Sequence, residues 1–491
     1  MTATTRSRRR IVSIAILFAS AASGEAQDHA KYQTDFLAEE LAARRARVLD
    51  AIGDNAIAIV QGAGTAAGFV VFRQSNELYY LTGLEVPQSY ILLDGRQRRS
   101  LLFLPHRDER RERGEGKTLS AEDAELVTGL TGVDAVYGND ALAHQLYGFA
   151  LRPPFPTLYT FTSPAEGRAQ SRDENLIGHA GVVSDPWDGR PSREGQFIQL
   201  LRTRYPQFEI ADLTPILDEM RIVKSAREIE LVRRASRIAG LGIMEAIRSS
   251  RPGVKEYQLD AAARYIYFVN GSQGEGYRSI TASGSNAYFG HYYRNDATLA
   301  AGDLVLMDYA PDYRYYTSDV ARMWPVSGTF DAAQRALYGF IVEYSKALMK
   351  RIRPGVTADA ILDDAAEEMI GVLDRIDFAS EAHEQAAREA LAFRGHLSHP
   401  VGLAVHDVGS YRSRPLVPGV VFSVDPMLWV HEERLYVRME DTVVVTEDGV
   451  ENFTDFMPSE LDEIEALMKE EGLVQIRPPA TERGDCQETR P

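Results

Sequence analysis

Asp308 and Asp319 stand in the stretch GDLVLMDYAPDYRYYTSDVARMWPV, residues 302–326, where apolar runs deliver carboxylates to strand ends. Leu304 to Met307 is a continuous apolar run closing on Asp308, and Tyr315 to Val320 is a second β-prone run that carries Asp319. A hairpin turning at Tyr313 and Arg314 sets the two aspartates directly opposite each other, side chains on one face. Opposed like charges destabilise a sheet unless something neutralises them. A divalent cation does so, and carboxylate oxygens are hard ligands that suit one. Taken alone, these residues also fit a surface hairpin with two solvated carboxylates.

Further candidate ligands follow about a hundred residues on. RGHLSHPVGLAVHDVG carries His396, His399 and His406, VVFSVDPML carries Asp425, and LYVRMEDTVVVT carries Arg438 and Glu440. Arg438, Glu440 and Thr442 alternate along one strand, so they share a face. Asp308, Asp319, Asp425 and Glu440 together bring four negative charges, prohibitively repulsive in one cluster without counterions. Two divalent ions balance them, and a neutral imidazole from His399 completes a mixed oxygen and nitrogen set suited to manganese, cobalt, iron or zinc. Between two such ions a water loses its proton near neutral pH and becomes a nucleophile.

The elements that must position these residues are partly visible. RPGVKEYQLDAAA from Arg251 echoes RPGVTADAILDDAA from Arg353; each follows a helical run, Glu228 to Ile247 and Asp331 to Ile352, and each precedes a Gly-, His- and strand-rich stretch. A duplicated helix-turn-helix-strand unit explains this and leaves a sheet cleft between its copies. Ser225 with Glu228 forms a capping box that opens this region, so the domain boundary falls near Arg221. Upstream, Asp35 to Ala51 reads as an amphipathic helix and Ala56 to Val60 as a strand. GAGTAAG, residues 62–68, lacks the full nucleotide-loop fingerprint and reads as a plain turn. Strand-like runs at 90–93, 101–104 and 208–213 alternate with helical ones, an α/β pattern. The charged run His106 to Lys117 reads as a solvated loop, and Pro153 to Arg193 as long connecting loops or an insertion.

At 491 residues, 44% hydrophobic and 25% charged, the chain has the composition of a soluble protein with two domains. Its formal charge of −17 argues against nucleic acid as a partner. Residues 1–26 have the three parts of an export signal: Arg6, Arg8, Arg9 and Arg10, then the apolar Ile11 to Ala22, then Gly24-Glu25-Ala26. The apolar part is too short for a stable membrane anchor, and Ser7-Arg8-Arg9 partly matches a twin-arginine signal. Cleavage after Ala26 removes four Arg and one Glu, taking −17 to −20, and predicts an acidic exported protein, periplasmic or secreted. The single cysteine, Cys486, has no internal partner and lies in a polar tail, residues 472–491, expected to be disordered.

The LMD, SDVAR, SHPVGLAVHD and RMED segments, in this order, resemble the pita-bread metallopeptidases of the aminopeptidase P and prolidase type. FRQSNELYYLTG, residues 72–83, resembles a segment of their amino-terminal domain, so the likeness runs from about residue 30 to 470. It implies an α/β (α+β) protein: a creatinase-like amino-terminal domain at 30–220, then a duplicated α/β/α pita-bread domain at 221–471. It further implies metal ligation by Asp308, Asp319, His399, Asp425 and Glu440. His291 is expected at the developing oxyanion, His406 on the prolyl leaving-group side, Asp425 as the proton-relaying base, and Arg438 supporting this network. The cofactors implied are two divalent ions, manganese first, with cobalt, zinc or iron as alternatives. The substrate implied is a peptide with proline second, and the assembly a homo-oligomer, dimer or tetramer.

Two departures bear on this. The family's Glu-Pro-Gly is Asp425-Pro426-Met427 here, one methylene shorter at the base. Gly395 stands where the family has a histidine, with His396 beside it. The leading expectation is release of the residue preceding proline. A dipeptide-restricted prolidase and a non-catalytic peptide-binding relative are the alternatives, while a metal-free creatinase activity is disfavoured by Asp308, Asp319, His399 and Glu440.

Overall fold

The computed structural model describes residues 32–66, 68–167 and 171–478. The expected export signal and Cys486 lie outside the described residues. Among the described residues no helix is long and apolar enough to cross a membrane.

The amino-terminal part is built on a six-stranded mixed sheet. Its strands run, edge to edge, Ala135–Gly138, Arg99–Leu104, Tyr90–Asp94, Ala56–Gln61, Thr157–Thr160 and Ile210–Asp212. The central strands are nearly continuous apolar runs because both faces are covered. Helix Ala38–Ile52 covers one face with Leu41, Val48, Leu49 and Ile52. The segment 72–83 is helical over Asn76–Thr82, capped by the Ser75 hydroxyl and ended by Gly83 in the left-handed region at φ 66°.

Two stretches expected as loops hold regular structure. Glu109–Glu115 is an exposed helix, because Asp108 caps its first turn and Arg111 pairs with Glu115 at 2.8 Å. Within 153–193 lie the strand Thr157–Thr160 and the helix Arg172–Ser184, which starts at a capping box of Ser171 and Glu174. The tail expected to be disordered from residue 472 begins instead with a helical turn, Leu473–Ile476. It is held on the preceding core by Leu473 N–H to Glu245 at 2.5 Å and Gln475 to the Ser249 carbonyl at 2.8 Å.

The second part shows the duplication down to its hydrogen bonds. The helices Ala226–Ser249 and Glu256–Val269 are joined by one RPGV segment, and Ala332–Met349 and Ala358–Leu373 by the other. Gly253 and Gly355 both take positive φ, 91° and 83°. Gly253 N–H reaches the Leu299 carbonyl at 2.9 Å and Leu299 N–H returns to Val254 at 2.8 Å; Gly355 and Leu416 repeat the exchange, with Val356 as the return partner, at 2.8 Å each.

Each copy supplies a three-stranded sheet. In the first, Leu304–Asp308 lies between Ile280–Ser283 and Ala321–Pro325; in the second, Asp441–Val445 lies between Val421–Val424 and Val450–Asn452. The sheets meet where Ala321 and Glu440 exchange backbone hydrogen bonds at 3.1 and 3.0 Å. One apolar core spans this domain, and a second runs from the amino-terminal helices into Tyr315, Tyr316, Val401 and Leu403.

The hairpin differs in register from expectation. Asp308 pairs with Ala321, and the turn is Arg314-Tyr315, both at positive φ (53° and 75°) between Tyr313 and Tyr316. Such a two-residue turn normally recruits Gly or Asn. Here tertiary contacts impose it: the Tyr315 ring stacks on Tyr79 at 3.6 Å, and its hydroxyl accepts from Gln74 N–H at 2.8 Å. The strand carrying the second run is Ala321–Pro325, so Asp319 precedes it. The register is offset by two residues, and a shift of two leaves both aspartates on one face.

Candidate active site

Asp308 sits at the buried end of Leu304–Asp308. Asp319 is fixed through its backbone: its N–H donates to Thr442 Oγ1 at 2.8 Å, and the Thr442 hydroxyl donates to the Asp319 carbonyl at 2.8 Å. The expected alternation of Arg438, Glu440 and Thr442 therefore faces the site, and one strand region from the second copy locks the ligand loop of the first. Asp308, Asp319, Asp425, Glu440 and Arg438 are all buried.

Among the described residues, Arg438 is the cation set between the four carboxylates. Its Nε donates to Asp425 Oδ1 at 3.0 Å, Nη1 to Asp308 Oδ2 at 2.9 Å, and Nη2 reaches both Asp425 Oδ2, at 2.9 Å, and Glu440 Oε2. One guanidinium cannot offset four charges. Burial, then the Glu440 and Asp308 charges, pushes the Asp319 carboxyl well above its usual range. Burial does the same to Asp425, with Arg438 opposing and Glu440 and Asp319 adding to the rise. Glu440 rises through burial as well, against Arg438.

Tyr277, which sequence patterning did not single out, lies between the facing aspartates. Its hydroxyl is 2.6 Å from Asp308 Oδ1 and 2.8 Å from Asp319 Oδ1. A single O–H proton serves one of the two oxygens at a time. No local spacing could have found it, since Tyr277 comes from the segment preceding the first copy's edge strand.

The donor set fits a divalent metal on its own geometry. His399 Nδ1 donates to the Pro400 carbonyl at 3.1 Å, which turns Nε2 toward the carboxylates. Nε2 lies 3.1 Å from Asp319 Oδ2, with Glu440 Oε1 at 3.9 Å. Glu440 Oε1 is buried without a hydrogen-bond partner. Ligand atoms of Asp319, His399 and Glu440 lie within 4.8 Å of one another. Three converging ligand atoms, with Glu440 Oε1 unpartnered, suit a divalent cation. Asp308 adjoins this group through Tyr277. Asp425 does not point a free oxygen at it, since both of its oxygens face Arg438.

The expected histidines divide. The His406 ring is 4.3 Å from that of His399 and 6.2 Å from that of His291, centroid to centroid, so these three come together. His291 is exposed, beyond the short 3-10 helix Gly284–Tyr288. His396 stands apart, edge-on to Phe393 at 4.9 Å, and burial lowers its pKa. It lines an apolar cavity of about 260 Å³ with Phe393, Asp425, Met427 and Trp429.

With this geometry the relatives can be placed. The profile of metallopeptidase family M24 matches residues 230–447, and that of the aminopeptidase P amino-terminal domain matches residues 41–153. The chain is 30% identical over 415 residues to the Xaa-Pro aminopeptidase of Escherichia coli, covering 81% of this chain and 89% of that relative. It belongs to metallopeptidase family M24. Within that family it is a metallo-aminopeptidase of the aminopeptidase P type, and the expected pita-bread fold with its amino-terminal domain is the fold observed. Proline aminopeptidase P II from Yersinia pestis superposes with a TM-score of 0.71 at 30% identity, covering 88% of this chain and all of that one. A zinc-substituted Escherichia coli aminopeptidase P in complex with product gives 0.71 at 27%, covering 89% and 99%.

Proposed function

We propose that this M24 protein is an exported, dinuclear Xaa-Pro aminopeptidase that releases the first residue of peptides with proline second. The observation that carries this is the convergence of the buried Asp319 and Glu440 with the half-buried His399 beside Asp308, with Glu440 Oε1 unpartnered. Asp308, Asp319, His399 and Glu440 would hold two divalent ions, manganese first, with cobalt, zinc or iron suiting the same donors, and Asp425 would join them only through an oxygen it shares with Arg438. Bound there, the ions supply an acidified water and polarise the scissile carbonyl.

The chain's own groups do the rest. His291 donates to the oxygen of the carbonyl as negative charge develops on it. Asp425 takes the proton of the attacking water on a carboxylate oxygen and passes it to the prolyl nitrogen as the C–N bond breaks. Arg438, clamped on Asp425, holds that carboxylate in place and limits how far its charge is repelled by Glu440. His406 stands on the leaving-group side, its ring against His399.

Export rests on residues 1–26, and a homo-oligomer on the family resemblance. Amino-terminal sequencing of the mature protein from a periplasmic or culture-supernatant fraction checks the first, with Gln27 expected as the first residue; light scattering checks the second. Activity is checked by turnover of Xaa-Pro-Xaa, Xaa-Pro and Xaa-Ala-Xaa peptides with manganese-loaded protein. The proposal expects release from the first, and it fails if no Xaa-Pro peptide yields a free amino acid. Turnover confined to Xaa-Pro would make the protein a prolidase.

A further inference from the structure

The stretch between Pro153 and Arg193 contributes three consecutive residues that reach the catalytic domain or anchor the reach. The Ser171 hydroxyl accepts the His406 backbone N–H at 3.1 Å. Arg172 is buried, with Nη1 at 2.8 and 2.7 Å from the two oxygens of Asp218 and Nη2 at 3.0 Å from Glu166 Oε1. Asp173 places Oδ2 at 2.9 Å from His406 Nδ1. A carboxylate only accepts, so the proton lies on Nδ1. His406 Nε2 then has no protein partner among the described residues, and its ring lies against His399. Arg172, Asp173, His399 and His406 line one open cleft of about 590 Å³.

Which nitrogen of an imidazole acts is set by what the other nitrogen binds. The anchoring matters here: Arg172 is pinned to two carboxylates and Ser171 to the His406 backbone, so Asp173 between an anchored helix start and the ring is not free to wander. Ser171 N–H also donates to Glu174 Oε2 at 2.8 Å, which fixes the first turn of the helix. Glu174 Oε1 is itself 3.6 Å from His406 Nδ1, a second acceptor on the same side.

We propose that Asp173, from the amino-terminal domain, is a positioning residue for His406: it holds the proton on Nδ1 and presents the Nε2 lone pair to the cleft. The inference rests on the leaving-group role given to His406 above. Its consequence is that the catalytic domain alone does not contain a complete site, because the ring orientation is imposed across the domain boundary.

The test uses the full chain loaded with diamagnetic zinc and labelled with ¹⁵N-histidine, and reads the protonated ring nitrogen by two-bond ¹H–¹⁵N correlation. His406→Gln assigns the signals. In the unmodified protein His406 carries its proton on Nδ1. The pair Asp173→Ala with Glu174→Gln removes both carboxylates while leaving an oxygen for the Ser171 N–H. It is expected to abolish the Nδ1 preference and to lower kcat on an Xaa-Pro-Xaa peptide by about 10- to 100-fold, with KM changed by less than about twofold. Asp173→Glu is expected to restore the tautomer and most of the rate. An unchanged tautomer in the double variant overturns the proposal, as does kcat within about twofold of the unmodified protein while His406→Gln is impaired. If His406→Gln itself keeps full kcat, the leaving-group role fails, and the tautomer measurement still judges Asp173.

Discussion

Arg438 clamps Asp425 with two of its nitrogens, Nε to Oδ1 at 3.0 Å and Nη2 to Oδ2 at 2.9 Å, and so occupies both oxygens of the acid proposed as the base. That carboxylate is thus seated on a cation and not left hanging in the cleft. That arrangement lets an aspartate serve as the base only if its oxygen still comes within hydrogen-bond reach of the attacking water.

Substitution at this position is therefore decisive for the base. Asp425→Ala is expected to lower kcat on Xaa-Pro-Xaa by about 100-fold or more, the usual scale of general acid-base catalysis, and Asp425→Glu to stay within about tenfold of the unmodified enzyme. Steady-state kinetics at fixed manganese measures both. Full activity in the alanine variant would remove Asp425 from the mechanism.

Arg438 is expected to matter most when no metal is bound. Removing the one cation from four buried carboxylates leaves uncompensated charge, a loss of about 3–5 kcal/mol in typical buried pairs. Arg438→Met is predicted to destabilise the metal-free protein to denaturant on that scale and to lose much of the deficit once manganese is added. Equal stability of the two proteins without metal would contradict the charge account.

Stability should also depend on pH, with a sign that metal reverses. Asp319, Asp425 and Glu440 have raised pKa values, and burial with the neighbouring Glu166 pushes Glu77 up to about 7. Acids raised above their unfolded values contribute stability that is complete below the unfolded value, about 4 to 4.5, and is lost as pH rises through the folded values. The metal-free protein is accordingly expected to melt at a higher temperature near pH 5 than near pH 8. Metal needs the deprotonated ligands, so added manganese should stabilise more as pH rises. Melting curves with chelator and with manganese across this range check it; a metal-free protein more stable at pH 8 would sink it.

How far the sequence foretold this site depends on what each residue's position encodes. The facing of Asp308 and Asp319 survived an error of two residues in the hairpin register because side-chain direction in a strand repeats every two positions. The turn itself was illegible: Arg314 and Tyr315 carry no turn chemistry, and their positive φ is imposed by Tyr79 and Gln74, far away in sequence. The RPGV echo foretold two copies correctly, since it encodes a left-handed glycine needed twice. Asp173 stayed hidden inside a polar, Gly- and Pro-rich stretch whose helix is almost wholly exposed and lacks an apolar stripe. Tyr277 had no periodic signal at all.

Tyr277 yields its own prediction. Tyr277→Phe removes the hydroxyl shared by Asp308 and Asp319 without changing the ring, and is expected to weaken manganese affinity by about 10- to 100-fold, as loss of a partner to metal ligands commonly does. Calorimetric titration reads the change. An affinity equal to that of the unmodified protein would show that the hydroxyl only fills space.

The four buried acids and His399 are proposed to form a two-metal site. The most direct test is metal content by elemental analysis after equilibrium dialysis of the purified full chain against excess manganese. About two ions per chain are predicted, falling to about one or fewer in Asp319→Ala and Glu440→Ala. Fewer than about one ion per chain in the unmodified protein would contradict the account.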